Sequence, residues 1–253
     1  MTIKLSVNLN KVCLLRNARG SDYPNLNEYM KTALKSGVDG ITLHPRPDLR
    51  HATPKDIILA SKFCYKNNIE FNIEGNPFSK KSKIYDGFDN LVNKSKAHQV
   101  TLVPDSADQI TSDSGWTSTD KFDELKHKIR KYKKNNSRVS IFINPSLASY
   151  SFARSLNPDA IEIYTGPFAQ IVKSGNKNKL NHHIYIIDEI INLALIDGIL
   201  VNAGHDLNLD NLKYLVELSG FNEFSIGHAI IVDSLNCGFE KTINKYIDLI
   251  KGK

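Results

Sequence analysis

The chain has 253 residues, 41% of them hydrophobic, and a formal net charge of +6. That is enough apolar material for a sizeable core in one large domain or two smaller ones. No apolar run approaches the roughly 18 residues that suggest a membrane span. The first residues read directly as a strand and lack the apolar stretch and cleavage site of a signal peptide, so a cytoplasmic protein is expected. Cys13, Cys64 and Cys237 are few, odd in number and far apart. This is the pattern of ordinary, partly buried residues, with neither a disulfide framework nor metal-ligand spacing.

Short β-branched segments over 3–8, 40–44, 70–74, 99–103, 139–143, 160–164, 198–202 and 223–226 read as eight strands. Longer segments of helical period separate them. After the first strand, a long segment carrying Arg16 and Arg19 leads to a helix expected near Asn25. Thr53 before Pro54 predicts an N-cap with proline at the first helical position, and Ile57, Ile58, Ala60, Phe63 and Cys64 form the apolar stripe behind it. The 105–118 loop is polar and long, and is expected to close over a ligand. The basic run over 126–134 could in principle bind nucleic acid. With only Tyr132 interleaved, it reads better as the solvated face of an outer helix. The connection over 165–181 is also long. Near the end, Leu209, Leu212, Leu215 and Val216 form a stripe that Gly220 is expected to close as a helix C-terminal glycine.

Eight strand–helix units imply a parallel sheet. Closure into a single-domain (β/α)8 TIM barrel, α/β in class and with a few extra short helices, is the economical solution at a length close to the roughly 250 residues typical of that fold. An open doubly wound sheet is the alternative.

Barrel enzymes build their sites at the C-terminal ends of the strands. The first predicted strand ends in Asn8, with Asn10 and Lys11 just beyond, and the second in His44, followed by Arg46, Arg50 and His51. Glu74 ends the third, Glu162 lies in the sixth, His205 and Asp206 follow the seventh, and Gly227 and His228 follow the eighth. A lone histidine beside a strand is usually structural. Many polar groups on one rim are different, because their burial is costly unless they serve each other or a ligand. Gly227-His228 opens an apolar helix whose N-terminal amides attract anions. Arg46, Arg50 and His51 form a separate cationic group suited to phosphate. Two such places suggest substrates carrying two phosphates.

These segments resemble the pyridoxine 5′-phosphate synthase family along essentially the whole chain. The carriers are Ser6-Val7-Asn8, Leu15-Arg16-Asn17-Ala18-Arg19-Gly20, Asp39-Gly40-Ile41-Thr42-Leu43-His44-Pro45-Arg46 and Phe71-Asn72-Ile73-Glu74-Gly75-Asn76-Pro77. Leu102-Val103-Pro104, Ile161-Glu162-Ile163-Tyr164-Thr165-Gly166, Val201-Asn202-Ala203-Gly204-His205 and Ile226-Gly227-His228-Ala229 continue the series. The chain departs from the family pattern at Asn10-Lys11, where Asp-His is usual, and at Asp206, which replaces a glycine.

The resemblance implies a transferase that condenses 3-amino-2-oxopropyl phosphate with 1-deoxy-D-xylulose 5-phosphate, without metal or organic cofactor. It implies His44 and Glu74 as proton acceptors, His205 as proton donor and Glu162 as stabiliser of positive charge on an imine. Asn8, Arg19, Asp206, Gly227 and His228 would hold the aminoketone phosphate. Asn10, Lys11, Arg46, His51 and Thr111 would hold the deoxyxylulose phosphate. Lys11 could form a Schiff base, although charge stabilisation fits better because the substrate itself brings the amine. A homo-octamer, a tetramer of dimers in which Arg19 serves a neighbouring subunit, is also implied, with neither nucleic acid nor membrane as partner. The rivals are a metal-dependent barrel hydrolase, which needs His-x-His where Asn8-Leu9-Asn10 stands, and a basic nucleic-acid-binding protein.

Overall fold

Alternation of buried and polar residues along each strand sets the architecture. In the computed structural model, which describes residues 2–106, 109–117 and 121–252, eight parallel strands close into a barrel in sequence order. They are β1 (Lys4–Asn8), β2 (Gly40–Leu43), β3 (Glu70–Gly75), β4 (Gln99–Leu102), β5 (Arg138–Ile143), β6 (Ala160–Tyr164), β7 (Leu200–Gly204) and β8 (Phe221–Ile226). Lys4 to Val7 pair with Glu223 to Ile226 and shut the ring. The helices around it are α1 (Asn10–Arg19), α2 (Leu26–Lys35), α3 (Pro54–Asn67), α4 (Phe88–Ser95), α5 (Phe122–Lys134) and α6 (Leu147–Ser155). They continue with α7 (Gly166–Ser174), α8 (Lys177–Ile196), α9 (Leu209–Leu215), α10 (His228–Cys237) and α11 (Phe239–Lys251).

Because side chains alternate across a strand, Leu5, Val7, Ile41, Leu43, Phe71, Ile73, Ile141 and Ile161 pack outward into the layer beneath the helices. The alternate positions point into the barrel and are mostly polar. Ser6 meets Thr42 at 2.7 Å, Asn72 donates to Thr42 at 3.3 Å, and Thr101 donates to Asn72 at 3.1 Å. Lower down, Gln99 accepts from Arg138 at 2.8 Å and from Asn202 at 3.1 Å. Barrels usually fill this space with branched apolar side chains, so the hydrogen bonds here replace packing.

The punctuation of the sequence is realised in most places. Thr53 and Asp56 form a reciprocal capping box at the start of α3, and Asn25 caps α2. Cys13 and Cys64 are buried and Cys237 partly so. The basic run lies on α5, which buries Leu125, Ile129 and Tyr132 and turns Lys128 and Lys131 to Asp89 and Lys133 to Asp159.

Four expectations need correction. β7 runs two residues later than the sequence suggested, over Leu200–Gly204, because Gly198 sits at φ 70 in the turn before it. The 165–181 connection is α7 and the start of α8, a helix interposed between β6 and its main covering helix. Gly220 does not close α9, which ends at Leu215. At φ 108 it instead makes the turn into β8. The segment after β1 is the helix α1, ended by Gly20 at φ 69. Arg16 is buried in it and Arg19 lies exposed at its C-terminal end.

Candidate active site

At the C-terminal ends of the strands lies a cavity of about 300 Å³. It is lined by Asn8, Asn10, Lys11, His44, Arg46, His51, Glu74, Thr111, Glu162, His205, Asp206, Gly227 and His228. These are all the residues singled out from the sequence except Arg19 and Arg50. Of the 105–118 loop, Ala107, Asp108 and Ser118 lie outside the described residues.

Local geometry fixes each side. Asn8 accepts from the Asn10 amide at 3.0 Å, and Asn10 accepts from the His44 amide at 2.8 Å, so the first turn of α1 is tied to the end of β2. Gly227 must be glycine here, since a Cβ would stand 2.9 Å from the Cβ and carbonyl oxygen of Asn8. That close approach brings the N-terminus of α10 to the cavity. Asn17 donates to the carbonyl oxygens of Leu49, Arg50 and His51 and shapes the cationic loop after β2.

In that loop, one terminal nitrogen of Arg46 donates to Asp105 at 2.5 Å and the other to the Gln109 carbonyl at 2.8 Å. Arg50 also donates to the Gln109 carbonyl. The Nε atoms of Arg46 and Arg50 and Nδ1 of His51 are buried without a hydrogen-bond partner among the described residues. Burial, then His44 and Lys11, pushes His51 down to about 3. Burial lowers Lys11 too, helped by Arg50 and Arg46.

The acid–base groups occupy the floor. Burial, reinforced by Arg46, Arg50 and His205, pushes His44 down to about 3, which leaves a neutral imidazole. Its Nδ1 lies 3.8 Å from Glu74 and its Nε2 3.4 Å from Asp105. Glu74 is pushed up to about 7 by burial and by the negative charge of Asp105. Glu162 is held well above the usual carboxylate range by burial and by Glu74 and Glu223. Gly204 leaves the room that Glu162 occupies, since a Cβ there would lie 2.4 Å from Oε1.

After β7, His205 and Asp206 take positive φ values of 81 and 56. Aspartate tolerates this region, as glycine does. Thr165 donates to the His205 carbonyl at 2.5 Å, and Asn211 donates to that of Asp206 at 2.9 Å, so the turn is held from both sides. The ring of His205 stands edge-on to Tyr164, with Nε2 at 2.8 Å from Thr111 Oγ1 and Nδ1 at 3.3 Å from Asp206 Oδ2, off the hydrogen-bond line. His205 holds the Asp206 carboxyl below its usual range. Thr111 was expected among the deoxyxylulose phosphate ligands, and here it faces His205.

Asp105, Ser112, Phe142 and Ser225 were not anticipated. Asp105 had a usable signal, because it follows Val103-Pro104 at the end of β4, where the rim rule applies. Among the described residues, no three His, Cys, Asp or Glu side chains converge to hold a metal ion, and no helix is long and apolar enough to cross a membrane.

Fold and site together define a (β/α)8-barrel protein with buried acid–base groups set between phosphate-suited places. Solved structures with this fold include thiamine phosphate pyrophosphorylase from Pyrococcus furiosus (TM-score 0.60, 13% identity, covering 99% of this chain and 96% of that one). Another is orotidine 5′-monophosphate decarboxylase from Methanocaldococcus jannaschii (TM-score 0.58, 14% identity, 99% of each chain). At such identities the likeness concerns the fold alone.

The sequence goes further. Residues 5–252 match the family model for pyridoxal phosphate biosynthesis protein PdxJ, and the chain belongs to that family. It is 43% identical over 249 residues to pyridoxine 5′-phosphate synthase of Christiangramia forsetii, covering 98% of this chain and 99% of that protein. It is 38% identical over 253 residues to the enzyme of the same name from Xanthomonas oryzae pv. oryzae, strain MAFF 311018, covering 100% and 98%.

Proposed function

We propose that the chain is a cytoplasmic pyridoxine 5′-phosphate synthase, a transferase that joins 3-amino-2-oxopropyl phosphate to 1-deoxy-D-xylulose 5-phosphate and releases phosphate and water. The observation that carries this reading is the placing of Glu74, His44, Glu162 and His205 in one cavity between two phosphate-suited places. These are Arg46 and His51 after β2, and Gly227 and His228 after β8, on either side of β1.

Condensing an amine with a ketone, eliminating phosphate and water and closing a ring require repeated proton transfers. Glu74, pushed up to about 7, can take and return a proton near neutrality at little cost. The neutral ring of His44 is free to accept one. In this reading His205 donates through Nε2, with Thr111 as its partner in the free protein. Burial and the neighbouring carboxylates hold Glu162 towards its protonated form, and a cationic imine beside it would favour the ionised form, so it can supply charge where charge develops. Lys11 adds positive charge near the deoxyxylulose phosphate, beside Asn10. Incubation with both substrates should yield a pyridine chromophore and one equivalent of free phosphate. Absence of both would overturn the assignment.

Arg19 is outside the cavity of its own chain, which supports its assignment to a neighbouring subunit in a homo-octamer built as a tetramer of dimers. Mixing Arg19→Ala with Glu74→Gln after dissociation should restore roughly a quarter of wild-type activity, since half of the dimers are mixed and half of their sites are intact. No recovery, with mixed dimers shown to form, removes Arg19 from the partner's site.

A further inference from the structure

One carboxylate oxygen beside the cavity faces both an arginine and a neutral histidine. Oδ2 of Asp105 is 2.5 Å from Nη2 of Arg46 and 3.4 Å from Nε2 of His44. Asp105 is buried, and its backbone is anchored by Asn76, which donates to its carbonyl at 2.7 Å. Arg46 is the residue best shaped to grip a substrate phosphate, yet both of its terminal nitrogens are already engaged, by Asp105 and by the Gln109 carbonyl. A phosphate dianion therefore reaches Arg46 in competition with Asp105.

We propose that Asp105 is a positioning residue that changes partner: it holds Arg46 in the free protein, and passes to His44 when the phosphate of the deoxyxylulose substrate takes Arg46. This rests on the functional reading above. The consequence follows from the groups that face His44, which are Glu74, Asp105, Arg46, Arg50, His51 and His205. In the free protein, burial and the arginines keep its ring neutral. With Arg46 neutralised by phosphate, the Asp105 carboxylate is left to the Nε2–H of His44. It then fixes the tautomer, so that Nδ1 faces Glu74 as an acceptor, and makes the ring a stronger base. Lys11, whose charge acts on His51, works against the change, since it adds to that of the arginines. The basicity of His44 thus rises when the phosphate is seated.

The sign of one substitution separates this from a structural role. Asp105→Asn removes the competing charge but keeps the shape. Inorganic phosphate should then bind about tenfold more tightly, KM for 1-deoxy-D-xylulose 5-phosphate should fall, and kcat should fall with it. If Asp105 merely props Arg46 in place, the same variant weakens phosphate binding and raises KM, and that result overturns the proposal. Histidine-labelled full-length protein gives a second readout, with the His44 signal assigned by its loss in His44→Gln. Saturating sulfate, a dianion throughout the range, should raise the protonation midpoint of His44 in the wild type. The change in protonation constant should be at least tenfold larger than in Asp105→Asn. Equal changes, or none in the wild type, also overturn it. Should Asp105→Asn fail to fold, Asp105→Ser removes the same charge and gives the sign of the binding change. Turnover with no anion-dependent change in His44 rejects the exchange alone. The exchange without pyridine formation rejects the functional reading instead.

Discussion

Two buried arginine–aspartate pairs do different things. Arg16 and Asp56 meet through two parallel bonds, Nη1 to Oδ1 at 2.6 Å and Nη2 to Oδ2 at 2.7 Å. Asp56 also accepts from the amide and hydroxyl of Thr53 at 2.7 Å, while Arg16 reaches Asn17. Arg46 and Asp105 share a single bond, with Nε of the arginine unpartnered among the described residues. The pKa directions express the contrast. Asp56 is lowered and Arg16 raised, so each favours its charged form, whereas Asp105 is raised and Arg46 lowered by burial. A fully satisfied pair ties α1 to α3. An under-satisfied one is open to a ligand, because a third partner gains what the pair lacks.

Breaking the first pair should have the largest effect. Asp56→Ala leaves a buried guanidinium without its carboxylate and removes one half of the α3 capping box, so a loss of about 3–5 kcal/mol in unfolding free energy is expected by denaturant titration. A loss below about 1 kcal/mol would place this pair with ordinary surface ion pairs. Glu74→Gln and His205→Asn come next. Each should fold as the wild type does and lose at least ~100-fold in turnover, and near-normal turnover in either removes that residue from the mechanism.

Acid sharpens the comparison further. His51 titrates at about 3 in the fold against 6.5 in the unfolded chain. The unfolded state therefore binds more protons below pH 6.5, and stability falls as pH drops from there towards 3. The depressed carboxyl of Asp56 has the other window. Its contribution is complete above the ordinary carboxylate value and is lost only as pH falls through its own lower one. His51→Gln should thus recover about 2 kcal/mol relative to wild type at pH 5 while changing little at pH 8, and parallel stability curves would contradict the assignment. The smallest effect is expected at the departure from the family. Asp206→Gly removes a half-exposed carboxylate beside Nδ1 of His205, and about a two- to fivefold fall in turnover should follow. Unchanged turnover with an unchanged pH profile would show the pair to be idle.

How much was legible beforehand differs between fold and site. Strand alternation, the Thr53-Pro54 cap and the polar residues at strand ends are local or periodic signals, and each barrel strand repeats the same one. They sufficed for the (β/α)8 order and for the set of residues on the rim. Other features were harder to see. α7 was hidden because Gly166 and Pro167 at its start read as loop punctuation. Gly220 was misplaced because glycine marks helix ends and positive-φ turns alike. Asp105 carried the positional signal of a rim residue, but without the fold nothing distinguished it from the polar loop that follows.

Sequence alone determined which side chains alternate inward and which ends of the strands carry ionisable groups, because period and order are properties of the chain. Tertiary structure decided their partners. Arg16 and Arg46 are the same residue type, yet one closes on Asp56 and the other shares Asp105 with His44. The reason is physical: burial and the position of neighbouring charges set protonation and pairing, and both depend on distances between strands far apart in sequence.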